Sequence, residues 1–200
     1  FNPAEISSVI VTHAHLDHSG NLPTYYSKKR FPWLTTFPTV PLVNLLWQDL
    51  IKVLLDRRET PYLSDKEIKA AGKHCVPLPY GEPYEFFDGT TATLHDAGHI
   101  IGSAQCMVEN GSSVLYTGDL NYSDTRMQSK AVIPCKNPDA LIIESTYSDR
   151  EHPPRKQVER EFIDAVEEAV EGGNALVPCF AVGRTQEILK DFPRIKNIRQ

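Results

Sequence analysis

Thr12-His13-Ala14-His15-Leu16-Asp17-His18-Ser19-Gly20 places three imidazoles and a carboxylate within six residues. It follows directly on the apolar run Val9-Ile10-Val11. Successive strand residues point to opposite faces, so His13 and His15 share a side. If the chain leaves the strand near His15, Asp17 and His18 come from the loop that opens the next helix. Two neighbouring donor pairs result, His13/His15 and Asp17/His18. Neutral imidazole with carboxylate suits zinc, and softer first-row metals compete for the same donors. A lone His-X-His often sits on a solvated strand end, but four donor-type residues in this order make a metal motif.

Around this motif the chain is an ordinary globular one. Its 200 residues, 40% hydrophobic and 24% charged, fit one domain or one and part of another. A net charge of −5 gives no support to non-specific nucleic-acid binding through a basic surface. It does not exclude a nuclease, because bound divalent cations dominate the local field. Cys75, Cys106, Cys135 and Cys179 form no CxxC pair and read as reduced thiols. No apolar run reaches the roughly 20 residues of a membrane span, and no signal peptide is visible.

Ile6 to Val11 reads as a strand ending at the histidine cluster. A short helix runs from about Ser19 to Lys28, and Leu34 to Phe37 is a short strand. Leu42, Leu46, Leu50 and Val53/Leu54 recur at helical spacing and predict the buried face of a long helix. Ser64 with Glu67 three residues later predicts a capping box. Val76–Leu78, Tyr84–Phe87, Thr90–Leu94, Ala104–Val108 and Val114–Thr117 are short apolar or β-branched runs punctuated by glycine, which predicts an antiparallel meander. Strand Ala140–Ile143, a helix after Pro153-Pro154, strand Ala175–Val177 and a second helix follow. The apolar face of the first of these helices is Val158, Phe162, Ala165/Val166 and Ala169/Val170. Alternation of strands and helices around a β-rich middle predicts an α/β layered protein.

Two further places carry donors. His99 lies in the Gly-flanked stretch Asp96-Ala97-Gly98-His99-Ile100-Ile101-Gly102-Ser103-Ala104. Asp119 ends Tyr116-Thr117-Gly118-Asp119, just beyond a predicted strand, where a carboxylate is well placed to bridge two metals.

HAHLDH, then AGHIIGSA, then TGD, resembles the metallo-β-lactamase superfamily. Glu144-Ser145-Thr146-Tyr147, Asp149-Arg150-Glu151-His152 and Pro178-Cys179-Phe180-Ala181-Val182-Gly183-Arg184-Thr185-Gln186-Glu187 resemble its β-CASP branch. That branch includes the cleavage and polyadenylation specificity factor nuclease, its archaeal relatives and RNase J. The resemblance implies an αββα sandwich, with residues 1–180 as an incomplete metallo-β-lactamase domain and 181–200 as the start of a β-CASP domain. It implies two zinc ions. His13, His15 and His99 would hold the first, Asp17 and His18 the second, and Asp119 would bridge them. Two metals roughly 3.5–4 Å apart share a water and lower its pKa, and the hydroxide attacks phosphorus. Asp17, Asp119 and Glu144 are the implied catalytic acids. Asp17 orients the hydroxide, and Glu144 holds a ligand or catalytic histidine in place. Arg184, ahead of a helix N-terminus, Ser103 and Tyr147 are candidate substrate contacts.

The implied function is a zinc-dependent ribonuclease. It would cut single-stranded RNA endonucleolytically, with 5′–3′ exonuclease action as a further mode, in 3′-end processing or decay. It would work in the cytoplasm, or the nucleus of a eukaryote, as a homodimer or in a processing complex, with no membrane partner. The competing readings are a glyoxalase-II-like thioesterase and a non-catalytic RNA-processing scaffold. The family's aspartate motif upstream of the cluster and its two later histidines have no counterpart here. Ser148 stands where the family usually has glycine. The expectation is therefore a fragment that binds one zinc well, binds the second loosely, and cleaves RNA weakly or not at all.

Overall fold

The computed structural model describes residues 2–135 and 137–191. They form two compact units. The first runs up to Asp124 and resumes at Gln128–Glu144; the second comprises Thr125–Met127 and the chain from Ser145 onward.

In the first unit, strands β1 (Val9–Ile10), β2 (Trp33–Thr36) and β3 (Cys75–Leu78) form a three-stranded parallel sheet in that order. Short helices α1 (Leu16–Ser19) and α2 (Leu22–Tyr25) connect the first two strands. Helices α3 (Thr39–Asp56) and α4 (Asp65–Gly72) connect β2 to β3. Parallel neighbours require such crossovers. Strands β4 (Pro83–Glu85), β5 (Thr91–Asp96), β6 (Ala104–Glu109), β7 (Ser113–Tyr116) and β8 (Ala140–Ile142) form a second sheet in sequence order. Its first four strands pair antiparallel, and β8 joins β7 in parallel.

Period-two alternation splits each strand between two environments. Leu34, with Ile10, Val76 and Leu78, packs against Ala92, Leu94, Ala104 and Cys106 of the second sheet. The two sheets therefore face each other across one apolar core. On the opposite side of β2, Trp33 meets Trp47 of α3 at 5.8 Å between ring centroids, and its indole N–H donates to the Ala71 carbonyl of α4 at 2.8 Å. Helices cover one sheet and that sheet covers the other, as the layered reading expects.

The structure refines four expectations. The ladder of β1 stops at Ile10, short of Val11. Val11 N–H still donates to Leu34 O at 2.9 Å, while Thr12 O accepts the Ala104 N–H at 2.8 Å. The chain thus passes from one sheet to the other just before His13. In α3 the fully buried residues are Thr39, Val43 and Trp47. Leu42, Leu46, Leu50, Val53 and Leu54 are only half-buried. The stripe turns because the largest side chain, Trp47, takes its centre. The run at Val76–Leu78 pairs in parallel with β2 rather than opening the meander. Periodicity marks a strand but not its neighbour. Finally, among the described residues no ladder forms at 175–177. The capping box is present: Ser64 N–H donates to Glu67 Oε2 at 2.8 Å. All four cysteines are free thiols. No described helix is long and apolar enough to cross a membrane.

The second unit holds α5 (Arg155–Gly172) and α6 (Arg184–Asp191). No residue of α5 is fully buried, and Val158 and Val170 of its predicted apolar face are exposed. Glu187 organises this unit. Its carboxylate accepts from the Thr125 hydroxyl, the Arg126 and Met127 amides, and Arg155 Nη2 at 2.9 Å. Arg155 also pairs with Glu159, which binds Arg126 in turn.

Candidate metal centre

Three separate backbone devices bring the donors together. The first is the break between β1 and α1. His15 is the N-cap of α1 with extended ψ of 143°, so Asp17 and His18 fall in the helix's single turn rather than in a loop before it. The Ser19 hydroxyl fastens this turn, donating to Ala14 O at 2.8 Å and His15 O at 3.0 Å. Trp47 of α3 holds its end through an indole bond to Ser19 O at 3.0 Å.

The second device is the turn between β5 and β6. Gly98 has φ of +65°, which favours glycine. Asp96 Oδ1 accepts the Gly98 N–H at 2.8 Å. Ser103 Oγ accepts the N–H groups of His99 and Ile100, at 3.0 and 3.2 Å. Ser103, expected to contact substrate, is fully buried. Its hydroxyl holds the His99 turn.

The third device follows β7. Gly118, with φ of +55°, turns the chain so that Asp119 points back to the histidines. A Cβ at Gly118 would meet Thr12 Cβ at 2.9 Å, so the turn and the strand end approach closely. Asn121 then ties the second and third devices, donating its backbone N–H to Ala97 O at 3.0 Å and its amide to Gly98 O at 3.2 Å.

As a result, one donor atom each from His13, His15, His99 and Asp119 lie within 4.8 Å of one another. His99 Nε2 is 3.2 Å from His15 Nδ1. Asp119 Oδ2 is 3.5 Å from His99 Nε2 and 3.7 Å from His13 Nε2. Metal–donor bonds of roughly 2.0–2.1 Å in a tetrahedron put donors about 3.3 Å apart, so the spacings fit a metal. His13 Nε2 is buried without a hydrogen-bond partner, whereas its Nδ1 lies 3.1 Å from the Thr12 hydroxyl. An orphaned nitrogen aimed at three other donors is the feature a cation would satisfy. His18 Nε2 stands beside this group, 3.3 Å from Asp119 Oδ1 and 3.5 Å from Asp17 Oδ2. The Asp17 side chain is 77% exposed, so this half of the site faces solvent.

Burial, reinforced by the His18, His99 and His15 imidazoles, lowers the His13 pKa to about 2. Burial also lowers His99, against the opposing pull of Asp119 and Glu144. Both rings are thus neutral donors at ordinary pH. Without metal, their unfolded counterparts take up protons below about pH 6.5 that the folded sites refuse. Stability of the metal-free protein should therefore fall as pH drops through 6.5, by roughly 1.4 kcal/mol per pH unit for His13 alone. Urea unfolding in chelator at about pH 7 and about pH 5 measures this, and His13→Gln should remove its share of the slope.

Glu144 lies two residues beyond β8. Its Oε1 accepts the Leu120 N–H at 2.6 Å, next to Asp119. Tyr147 and Arg184 belong to the second unit. Tyr147 is exposed, with its ring 4.5 Å from that of His152. Arg184 is exposed at the start of α6. The parts played by Asn121 and Glu187 escaped the sequence reading, because both act through contacts distant in the chain.

Residues 1–171 match the family described as the metallo-beta-lactamase superfamily. Among similar proteins, a probable RNase MJ4 of Methanocaldococcus jannaschii is 39% identical over 92% of this chain and 44% of its own length. Transcription termination factor FttA of Thermococcus kodakarensis is 37% identical over 96% of this chain and 32% of its own. FttA of Methanocaldococcus jannaschii is 38% identical over 94% and 31%. The chain thus spans less than half the length of these relatives.

Proposed function

This chain belongs to the metallo-beta-lactamase superfamily, and from that premise we propose that it carries the zinc centre of a β-CASP ribonuclease. The substrate is single-stranded RNA, cut at its phosphodiester bonds in 3′-end processing or decay. Convergence of His13, His15, His99 and Asp119 on one point is the observation that carries this reading. His13, His15 and His99 would hold a first ion, Asp17 and His18 a second, and Asp119 would serve both. When bound, such a pair supplies a water of lowered pKa and neutralises charge on phosphate oxygens.

The chain's own groups do the rest. Neutral His13 and His99 offer lone pairs instead of repelling a cation. Asp17, exposed at the rim, orients an attacking water. Arg184 and Tyr147, exposed in the second unit, are the proposed phosphate and base contacts. The proposed division leaves 1–180 as the metallo-β-lactamase domain and 181–200 as the opening of the β-CASP domain. The relative named as an RNase supports hydrolysis. Those named as transcription termination factors support RNA as the partner; a dimer or processing complex is part of the proposal.

Metal analysis of the intact protein should find zinc, and a labelled single strand of RNA should be cut while a glutathione thioester is left whole. Thioester hydrolysis without RNA cleavage would replace the nuclease with the thioesterase reading.

A further inference from the structure

One oxygen of the half-buried Glu144 carboxylate takes a backbone amide. The turn from Thr117 to Leu120 belongs to no helix or strand, yet it carries the carboxylate that touches three imidazoles. Thr117 N–H donates to Ile142 O at 3.0 Å, extending the β7–β8 pairing to the start of the turn. The Glu144 N–H reaches Thr117 Oγ1 at 3.3 Å, and that hydroxyl bonds Gly118 O at 2.8 Å. At the far side of Asp119, Glu144 Oε1 takes the Leu120 N–H at 2.6 Å. One residue therefore grips the turn on both sides of Asp119. Hydrogen bonds to a carboxylate are short and strong, and this one is short.

Resting on the metal-centre reading above, we propose that Glu144 is a positioning residue that fixes Asp119 by accepting the Leu120 amide. What the amide needs is an acceptor oxygen at that place. Asp119 presents one oxygen toward His18 and the other toward His13 and His99. Rotation of the turn would spoil both sets of contacts together. A glutamine at 144 keeps the acceptor and loses the charge; an alanine loses both.

The test uses the intact protein, zinc alone as the probe of the centre, and amide hydrogen exchange at Leu120 in the metal-free form. Glu144→Gln should keep zinc affinity within about threefold of the parent, and Glu144→Ala should lower it by about ten- to a hundredfold. Leu120 exchange should stay slow in Glu144→Gln and accelerate at least about tenfold in Glu144→Ala. With cobalt in place of zinc, the visible spectrum should be unchanged only in the glutamine variant. Equal loss of affinity in both variants would overturn the proposal, since charge would then be the requirement. So would parental exchange at Leu120 in the alanine variant. If Glu144→Ala does not fold, fast Leu120 exchange in Glu144→Gln overturns it equally. A parent that binds no zinc refutes the metal reading, while the exchange measurement still decides the grip on the turn.

Discussion

On the proposed reading, replacing His13 with alanine should strip the centre of metal and abolish the metal-dependent RNA cleavage of the intact protein. His13 is the innermost of the four clustered donors, and the only fully buried one. Its ring centroid is 4.1 Å from that of His18, 4.9 Å from His15 and 5.0 Å from His99. It therefore borders both halves of the site. Its Nε2 has no hydrogen-bond partner to fall back on. Burial lowers its pKa, so at ordinary pH the ring is neutral and does not repel a cation. His18→Ala is the informative comparison. His18 lies outside the four-donor cluster and touches it through Asp119 Oδ1. The alanine variant at 18 should lose one zinc per chain and keep the other; the variant at 13 should lose both. Zinc-to-protein ratios by mass spectrometry distinguish these outcomes. Equal retention of zinc in both variants would mean that the cluster is only a set of packed imidazoles.

Some of this was legible in the sequence because it is written locally. HxHxDH sits within six residues, and an extended segment followed by a helix start leaves its side chains few directions. The apolar runs of the second sheet appear where periodicity places them, within one or two residues, because each is a half-buried strand. The failures share a cause. Val76–Leu78 looks like any short apolar run, and only the α3–α4 crossover decides that it pairs with β2. The α3 stripe is centred by Trp47 reaching Ser19, a contact between residues 28 apart. The Ser103 hydroxyl holds the His99 turn, a use that its place in the loop does not reveal. Glu144 and Glu187 look alike as acids in recognisable motifs. One grips the Asp119 turn and the other ties Thr125–Met127 to α6. Long-range hydrogen bonds leave no period behind, so composition and spacing could not assign them.

Gly98 shows how much of the centre depends on an absent side chain. A Cβ there would lie 2.5 Å from Ala131 N, 2.7 Å from Asn121 O and 2.8 Å from Lys130 C. All three are backbone atoms, so no rotamer change relieves the clash. The left-handed φ of +65° adds a conformational cost of about 1 kcal/mol for any L side chain. Overpacking against fixed atoms adds about 1–3 kcal/mol. Gly98→Ala should therefore destabilise the fold by roughly 2–4 kcal/mol. Gly111 separates the two contributions: its φ is +71°, and an added Cβ meets nothing within 4 Å. Gly111→Ala should cost only the conformational share, about 1 kcal/mol, in the same urea titration. The metal centre should feel the difference more sharply than stability does. Asn121 bonds Ala97 and Gly98, and it follows Asp119 by two residues. Forcing Asn121 away from Gly98 therefore moves His99 and Asp119 relative to each other, which is the 3.5 Å contact a shared cation needs. Zinc affinity should drop at least about tenfold in Gly98→Ala and stay at the parental value in Gly111→Ala. If the two alanines behave alike in both measurements, backbone conformation alone accounts for the glycine and the close approach of the two turns is not what holds the donors in place.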